Sequence, residues 1–326
     1  MAGSLLESDA FGLSPASRTL ASIVVPAFNE GPDLTAHLEA LAHFLATCEA
    51  PYDFEVLIVD DGSADDTYET AQRVSQRFPN MRVVRHPINR GLGSAIRTGF
   101  VFALGSVIVT YDSDMSYRPE IITELLSELD RMDADLALAS PYMRGGSVVG
   151  VPWVRRVMSR EANRFLSFAT NGRYATVTCM VRAYRAKFFR DVETSEERME
   201  INPELFFKAM KRGARIVEIP ARLEWSAERA RTHSGVNVAR TLKQIGRTLQ
   251  YGVEYRPAVL LALPGILPGV LPLVIAICVL MRLDLKTIGI VTLVTMIIQN
   301  TSLALFAGQL GVFARNTMKR ASKGGR

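Results

Sequence analysis

Ser106-Val107-Ile108-Val109-Thr110-Tyr111-Asp112-Ser113-Asp114 is an apolar run that ends in two aspartates, two residues apart. Side chains alternate along a strand, so Asp112 and Asp114 emerge on one face at its tip. Paired carboxylates of this kind suit a hard divalent cation that fills its remaining shell with phosphate oxygens. The run reads as a buried strand that delivers a candidate metal site; taken alone, the pair could instead cap a helix or solvate a turn.

Outward from this strand the chain alternates. Apolar runs predict further strands over Ser22–Pro26, Phe54–Asp60, Met81–His86 and Asp135–Ala139. Amphipathic spacing predicts helices over Gly31–Cys48, Asp65–Phe78, Leu92–Leu104 and Arg118–Arg131. Near-continuous apolar strands separated by helices mean an α/β fold with a mostly parallel central sheet covered on both faces. The middle of the chain is less regular. Gly145-Gly146 and Gly150 mark a flexible loop before a helix over Trp153–Phe168. A strand is expected over Thr176–Tyr184, a helix over Pro203–Arg212 and another strand over Ala214–Trp225.

The last part changes character. Pro257–Met281 and Thr287–Ala314 are long uncharged stretches, each exceeding the roughly 20 apolar residues that cross a bilayer. Arg240, Lys243, Arg247 and Arg256 precede them, and Arg315, Lys319, Arg320, Lys323 and Arg326 follow. This is the positive-inside pattern of a two-helix transmembrane hairpin with both flanks cytosolic. Val238, Leu242, Ile245 and Leu249 recur at helical spacing between basic residues. Such a basic amphipathic helix lies in the headgroup plane. The net charge of +5 and pI near 9.2 therefore point to a membrane surface and not to nucleic acid. Cys48, Cys179 and Cys278 form no paired motif, as expected of a chain facing the reducing cytosol. The expected division is a disordered leader over 1–18, a catalytic domain over 19–232, an interfacial helix over 233–254 and a membrane hairpin over 255–326. Gln299 and Asn300, inside the second span, bond between helices or mark a homo-oligomer interface.

Ligands of open parallel sheets bind at the carboxyl ends of the strands. One polar cluster stands at each of the first four: Pro26-Ala27-Phe28-Asn29-Glu30, Asp60-Asp61-Gly62-Ser63 with Asp65, Asn89-Arg90-Gly91-Leu92-Gly93-Ser94-Ala95, and Asp112-Ser113-Asp114. In this order they resemble the four motifs of glycosyltransferase family 2, whose members have the GT-A nucleotide-sugar fold; the resemblance covers Ser22 to Trp225. It implies that Asp60 and nearby backbone hold the base and ribose of a nucleotide-sugar donor. It implies that Asp112 contacts the sugar nucleotide, and that Asp112 and Asp114 bind Mg²⁺ or Mn²⁺ at its phosphates. Pro26, Phe28, Glu30, Asp61, Asn89, Gly91, Gly93 and Ser113 complete the implied donor site.

Val181-Arg182-Ala183-Tyr184-Arg185 is similar to a segment of the polyprenyl-phosphate mannose synthases in that family. It makes Arg182 a candidate for the donor phosphates. Tyr142-Met143-Arg144-Gly145-Gly146, Trp153-Val154-Arg155-Arg156 and Ser159-Arg160-Glu161-Ala162-Asn163 resemble their acceptor loop and following helix. Arg144, Arg155, Arg156 and Arg160 are the implied ligands of a polyprenyl phosphate; the alternative for them is a solvated helix face. The chain departs from the family pattern at Ser116, at Pro141 and at Thr232-His233-Ser234-Gly235.

Other readings carry less. Gly91-Leu92-Gly93 lacks the third glycine of a dinucleotide fingerprint and follows the third strand, which argues against a dehydrogenase. Intact Asp112 and Asp114 argue against a silent membrane scaffold, and no Q-x-x-R-W-like segment supports a processive polysaccharide synthase. Glu200 reads as a helix-start carboxylate before Pro203 rather than a base. His37 and His43 share a helix without metal spacing, His86 only ends a strand, and His233 is the histidine nearest the expected site. The expectation is a membrane-bound, inverting hexosyltransferase acting on a polyprenyl phosphate, with transfer to a lipid or glycan hydroxyl as the alternative. Both termini should lie in the cytosol, so a cysteine placed beside Lys323 should react with impermeant reagent only from the cytosolic face. Labelling from the outer face would refute the hairpin.

Overall fold

The computed structural model describes residues 18–227, 229, 238–255, 284 and 286–297. In chain order the elements are β1 (Thr19–Ala27), a 3-10 turn (Gly31–Asp33), α1 (Leu34–Thr47), β2 (Tyr52–Asp60), α2 (Thr67–Ser75), β3 (Met81–Arg85), α3 (Leu92–Phe102), β4 (Val107–Thr110), α4 (Glu120–Arg131) and β5 (Leu136–Ser140). They continue as β6 (Ser147–Val149), α5 (Trp153–Ala169), β7 (Arg182–Arg185), α6 (Ala186–Phe189), α7 (Ile201–Lys211), β8 (Ile216–Pro220), β9 (Arg222–Glu224) and α8 (Val238–Tyr255). Two units result. The first holds Met1–Ala137 and Met180–Glu193, the second Leu138–Cys179 and Thr194–Arg326.

The first unit is organised around β1. Ile23, Val24 and Val25 are buried, as expected of a strand covered on both faces. β1 pairs in parallel with β2 on one side and β4 on the other. β3 extends the sheet in parallel beyond β2, and β7 closes against β4 in the antiparallel sense. The order across this unit is β3-β2-β1-β4-β7. The covering helices bury one face each: in α4 this is Ile121, Ile122, Leu125, Leu126 and Leu129, the spacing of an amphipathic helix. α3 lies so close to β1 that a Cβ on Gly99 would stand 2.2 Å from Val24 Cγ1.

In the second unit, β6 and β9 pair in parallel. α5 buries Ala162, Asn163, Leu166 and Ala169. A Cβ on Gly252 of α8 would sit 3.1 Å from Leu166 Cδ2, so the missing side chain lets the two helices approach. Tyr174, Phe206, Phe207 and Tyr255 form a chain of ring contacts with centroids 5.1–5.2 Å apart.

Three expectations change. Thr176–Val181 is not strand, and only Arg182–Arg185 joins the sheet. The amides of Val177 and Thr178 donate to Asn163 Oδ1, and those of Ala175 and Thr176 to Glu218, so side chains take the place of a ladder. The glycine-marked loop at 145–150 contains β6, and the strand expected over Ala214–Trp225 breaks at Ala221 into β8 and β9. The helix expected before the membrane is present as α8. Among the described residues no helix is long and apolar enough to cross a membrane. The span over 257–281 lies outside the described residues, and of the second span only 287–297 is described, as helix. The leader through residue 17, His233, Gln299, Asn300 and the basic tail also lie outside them.

Glu55 ties the first unit together. It accepts from the Ser22 hydroxyl, from the Leu104 amide at 2.6 Å and from Arg82 at 2.7 Å. Burial pushes its carboxyl up, but these hydrogen bonds win and hold it below the ordinary glutamate value. A carboxylate with a depressed folded-state pKa contributes stability above the unfolded value, near 4.3, and loses it as pH falls through the folded value. Thermal melting of the native protein should therefore drop on acidification through about pH 4. Glu55→Gln should cost about 1–3 kcal/mol at neutral pH and flatten that part of the pH profile. An unchanged profile would show that Glu55 has no share in it.

Candidate active site

Strand order reverses at β1, whose neighbours β2 and β4 lie on opposite sides. In open α/β sheets such a reversal leaves a crevice beyond the carboxyl ends of the strands. All four polar clusters read from the sequence lie at this edge of the first unit. The register puts Ala27 beside Asp60 and Asp60 beside Arg85.

The loops after β1 and β2 are stitched to each other. Asn29 takes a left-handed conformation, φ 54°. From there its amide donates to Ser63 Oγ at 3.0 Å, and its Oδ1 accepts from the Ala64 amide at 2.9 Å. The amides of Glu30 and Gly31 donate to Thr67 Oγ1 and Asp65 Oδ2, at 2.9 and 3.2 Å. Burial pushes the Asp65 carboxyl up, and the donors from Thr67 and Gly31 outweigh it and hold it low. Pro26 is buried, whereas Phe28 stands exposed at the loop's crest. Asp65 belongs to the second cluster read from the sequence, whereas Thr67 carries no motif letter and only the fold reveals its role as a loop anchor.

Asp60 and Asp61 have different surroundings. Asp60 is 0% exposed; its Oδ1 accepts from the Ser63 amide at 3.2 Å, and Oδ2 lies 3.2 Å from Arg85 Nε. Arg85 in turn stacks over Tyr68, 4.5 Å from the ring centroid. Asp61 accepts the amides of Arg90 and Gly91, at 3.0 and 2.6 Å. It also lies 2.6 Å from His86 Nδ1. His86 thus does more than end a strand, correcting the sequence reading. Gly62, φ 70°, lies against the next loop so tightly that a Cβ would stand 2.4 Å from Ile88 C. Asn89 is exposed, and Gly91, φ 89°, turns the chain into α3, where Gly93 is buried.

At the end of β4 the backbone turns sharply. Met115 has φ 51°, and Ser116 donates to Asp114 Oδ1 through its amide at 2.9 Å and its hydroxyl at 2.5 Å. The serine that departs from the family pattern is therefore the clamp on the second aspartate. Ser113 O lies 3.1 Å from His37 Nδ1, a contact that helical spacing alone did not suggest. Burial, followed by the charge of Asp112, pushes the Tyr111 phenol up. Among the described residues no group of three or more His, Cys, Asp and Glu side chains could hold a metal ion. The protein thus offers the half-exposed Asp112 and Asp114, both hard oxygen donors. That pair fits Mg²⁺ or Mn²⁺, which are held by one or two carboxylates with substrate phosphates completing the shell.

Arg182 pairs with Thr110 in the β4–β7 register and is 0% exposed. Its guanidinium is enclosed by protein, not displayed as an open phosphate ligand. In the second unit, Arg156 and Arg160 line a cavity of about 360 Å³ with Pro141, Tyr142 and Met143. Arg160 also lines a larger one of about 770 Å³ with Tyr142, Arg164, Ser167 and Phe168. Arg144 is exposed on the preceding loop. Arg155 stands apart over the Trp225 ring, at 5.9 Å, a ring that Arg229 also covers at 4.8 Å. Sequence reading missed Arg164, although it follows Arg160 by one helical turn. Glu200 is the residue before α7, as expected, but makes no capping hydrogen bond; it is buried, and its Oε2 has no hydrogen-bond partner.

The chain is 32% identical over 213 residues to the polyprenol monophosphomannose synthase of Mycolicibacterium smegmatis, covering 63% of this chain and 77% of that protein. It is 34% identical over 141 residues to the dolichol-phosphate mannosyltransferase of Pyrococcus furiosus, covering 43% of this chain but 38% of that protein. Among solved structures, glucosyl-3-phosphoglycerate synthase from Mycobacterium tuberculosis, in complex with Mn²⁺, UDP and phosphoglyceric acid, superposes with a TM-score of 0.55. That likeness, at 18% identity over 73% of this chain and 78% of the other, shows a shared fold. The sequence pattern of glycosyl transferase family 2 matches residues 22–193, and with a mostly parallel sheet bearing its motifs at the strand ends, the chain belongs to that family and has its GT-A fold.

Proposed function

We propose that the protein transfers a hexose, with inversion, from a nucleotide diphosphate sugar to a polyprenyl phosphate. The observation that carries this reading is the convergence of Asp112 and Asp114 with the stitched loops after β1, β2 and β3 at one sheet edge. The bond from the anomeric carbon to the diphosphate breaks, a bond to an acceptor phosphate oxygen forms, and the nucleoside diphosphate leaves. Mg²⁺ or Mn²⁺, when bound, supplies Lewis-acid neutralisation of the departing diphosphate. Phe28, Asn89 and Gly91 edge the donor pocket, while Pro26, Glu30, Asp60, Gly93 and Ser113 shape the backbone that encloses it. Buried Arg182 adds fixed positive charge beside the strand that carries the aspartates. GDP-mannose is the favoured donor, with UDP-glucose next; the names of the two relatives support mannose as the sugar.

An acceptor phosphate supports the absence of a dedicated base. Its second pKa is near 6, so the attacking oxygen is already mostly anionic at neutral pH. What it requires is cationic orientation, which Arg156, Arg160 and Arg164 on α5 supply, with Arg144 on the loop before it. The outer face of α5 supports a lipid partner as well. Trp153 is 71% exposed, and Val157 and Phe168 are exposed beside these arginines at helical spacing. Aromatic residues among basic ones suit a headgroup layer. The reading also includes the hairpin and its cytosolic orientation, and self-association through the membrane helices. The buried, unpartnered Oε2 of Glu200 is the one feature that favours a hydroxyl acceptor instead, since such an acceptor must lose a proton to a base.

Two outcomes test the reading. Asp114→Ala should abolish turnover without changing the melting temperature appreciably, and a chelator should do the same to the native protein. Chelator-resistant activity, or near-native turnover of the variant, would refute the metal site. Polyprenyl phosphate should be glycosylated while the free polyprenol is not. Arg160→Ala should raise KM for the phosphate by about tenfold or more, the effect of losing one charged hydrogen bond. Glu200→Gln should slow the reaction only modestly. Efficient transfer to the free alcohol with Glu200 essential would establish the hydroxyl-acceptor reading.

A further inference from the structure

His86 is 6% exposed, and both of its ring nitrogens are engaged. Nδ1 lies 2.6 Å from Asp61 Oδ1, and Nε2 lies 2.8 Å from Thr98 Oγ1 on α3. A carboxylate can only accept, so Nδ1 carries the proton, and in the neutral ring the Thr98 hydroxyl donates to Nε2. Asp61 is itself 3% exposed and also accepts the Arg90 and Gly91 amides, through Oδ1 and Oδ2 respectively. One buried carboxylate therefore joins the end of β3, the loop that follows it and, through the imidazole, the helix after that loop.

The loop has little other freedom. Gly62 packs against Ile88 and Asn89 with no room for a side chain, and Gly91 holds a left-handed φ of 89°. Removing the imidazole would leave a buried carboxylate one donor short, a costly state. The cheapest relief is to open the loop and let water reach Asp61, which would release Arg90 and Gly91 together. A different role for His86 would be merely to fill a polar core. It predicts a loss of stability with no selective effect on the loop or on the donor.

We propose that His86 is a positioning residue for the donor nucleotide. Through Asp61 it fixes the backbone of Asn89-Arg90-Gly91, and Asp61 acts on that loop and not on the ligand. The proposal rests on reading this sheet edge as a nucleotide-sugar site, and the experiment separates the two. The full chain in detergent is compared as native protein, His86→Leu, His86→Asn and Thr98→Val. Asparagine at 86 can still donate to Asp61 in place of Nδ1, whereas leucine cannot. Amide exchange of the segment covering residues 87–95 should quicken about tenfold or more in His86→Leu, less in Thr98→Val, and stay near native in His86→Asn. Titration with GDP and with UDP, each with Mg²⁺, should show the same ranking for whichever nucleotide binds the native protein. In turnover, KM for the donor should rise about tenfold in His86→Leu with kcat within about twofold, and His86→Asn should restore most of it. Native loop exchange in His86→Leu would overturn the proposal, as would an asparagine variant no better than leucine. If His86→Leu loses its fold altogether, Thr98→Val and His86→Asn still decide the matter through the same exchange ranking. Altered exchange in a protein whose native form binds neither nucleotide would count against the donor site while leaving the His86–Asp61 brace established.

Discussion

The constraint on which the first unit depends is that β1 is paired in parallel on both edges and covered on both faces. Its amides and carbonyls are consumed by β2 and β4, and its side chains by the helices. From Ala21 to Ala27 its side chains are buried and offer nothing to a ligand. Polar chemistry is therefore confined to the tips, and because the strands are parallel, the tips of β1 to β4 share one edge. The same geometry explains why those four tips carry runs of Asp, Asn, Ser and Gly.

Confinement to strand tips raises a second problem, since loops are entropically expensive to hold still. Here the loops hold one another. Side chains of one loop accept from backbone amides of the next: Ser63 and Thr67 from the β1 loop, Asp61 from the β3 loop, and Ser116 donates back to Asp114 within the β4 turn. These bonds satisfy loop amides that no ladder reaches, so the site is shaped before any ligand arrives. Preorganisation of this kind lowers the cost of binding. In the second unit, Asn163 and Glu218 do the same for residues 175–178, with a different consequence: they fasten α5 and its arginines to a fixed support.

Much of this was legible in the amino-acid order, for a physical reason. The buried strands and amphipathic helices impose short periods, and Asp112–Asp114, Asp60–Ser63 and Asn89–Ala95 interrupt those periods at strand ends. What could not be read are contacts between segments far apart in sequence. His37 meets Ser113, Arg85 meets Asp60, and His86 meets both Asp61 and Thr98; no local pattern encodes such pairings. The expected strand over Thr176–Tyr184 was a different failure. Thr176, Val177 and Thr178 have the β-branched composition of a strand, but distant side chains captured their amides. At residues 145–150 glycine was misleading in the opposite direction. Gly150 permits a close approach, with a Cβ there falling 2.3 Å from Trp225 O, and β6 pairs where a mobile loop was expected.

The order in which the two units use the chain has its own consequence. β7, which caps the edge of β4, comes from Met180–Glu193, after the chain has already supplied Leu138–Cys179 to the second unit. During synthesis, a nascent chain released only through Ala137 would expose β4 with its outer edge unpaired, a template for wrong partners. The first unit cannot close until the ribosome has delivered a long insertion that belongs elsewhere. Folding of the sheet that bears Asp112 and Asp114 is therefore timed by the emergence of the intervening residues 138–179. A truncation chosen to isolate that sheet must either keep the insertion or replace it with a linker.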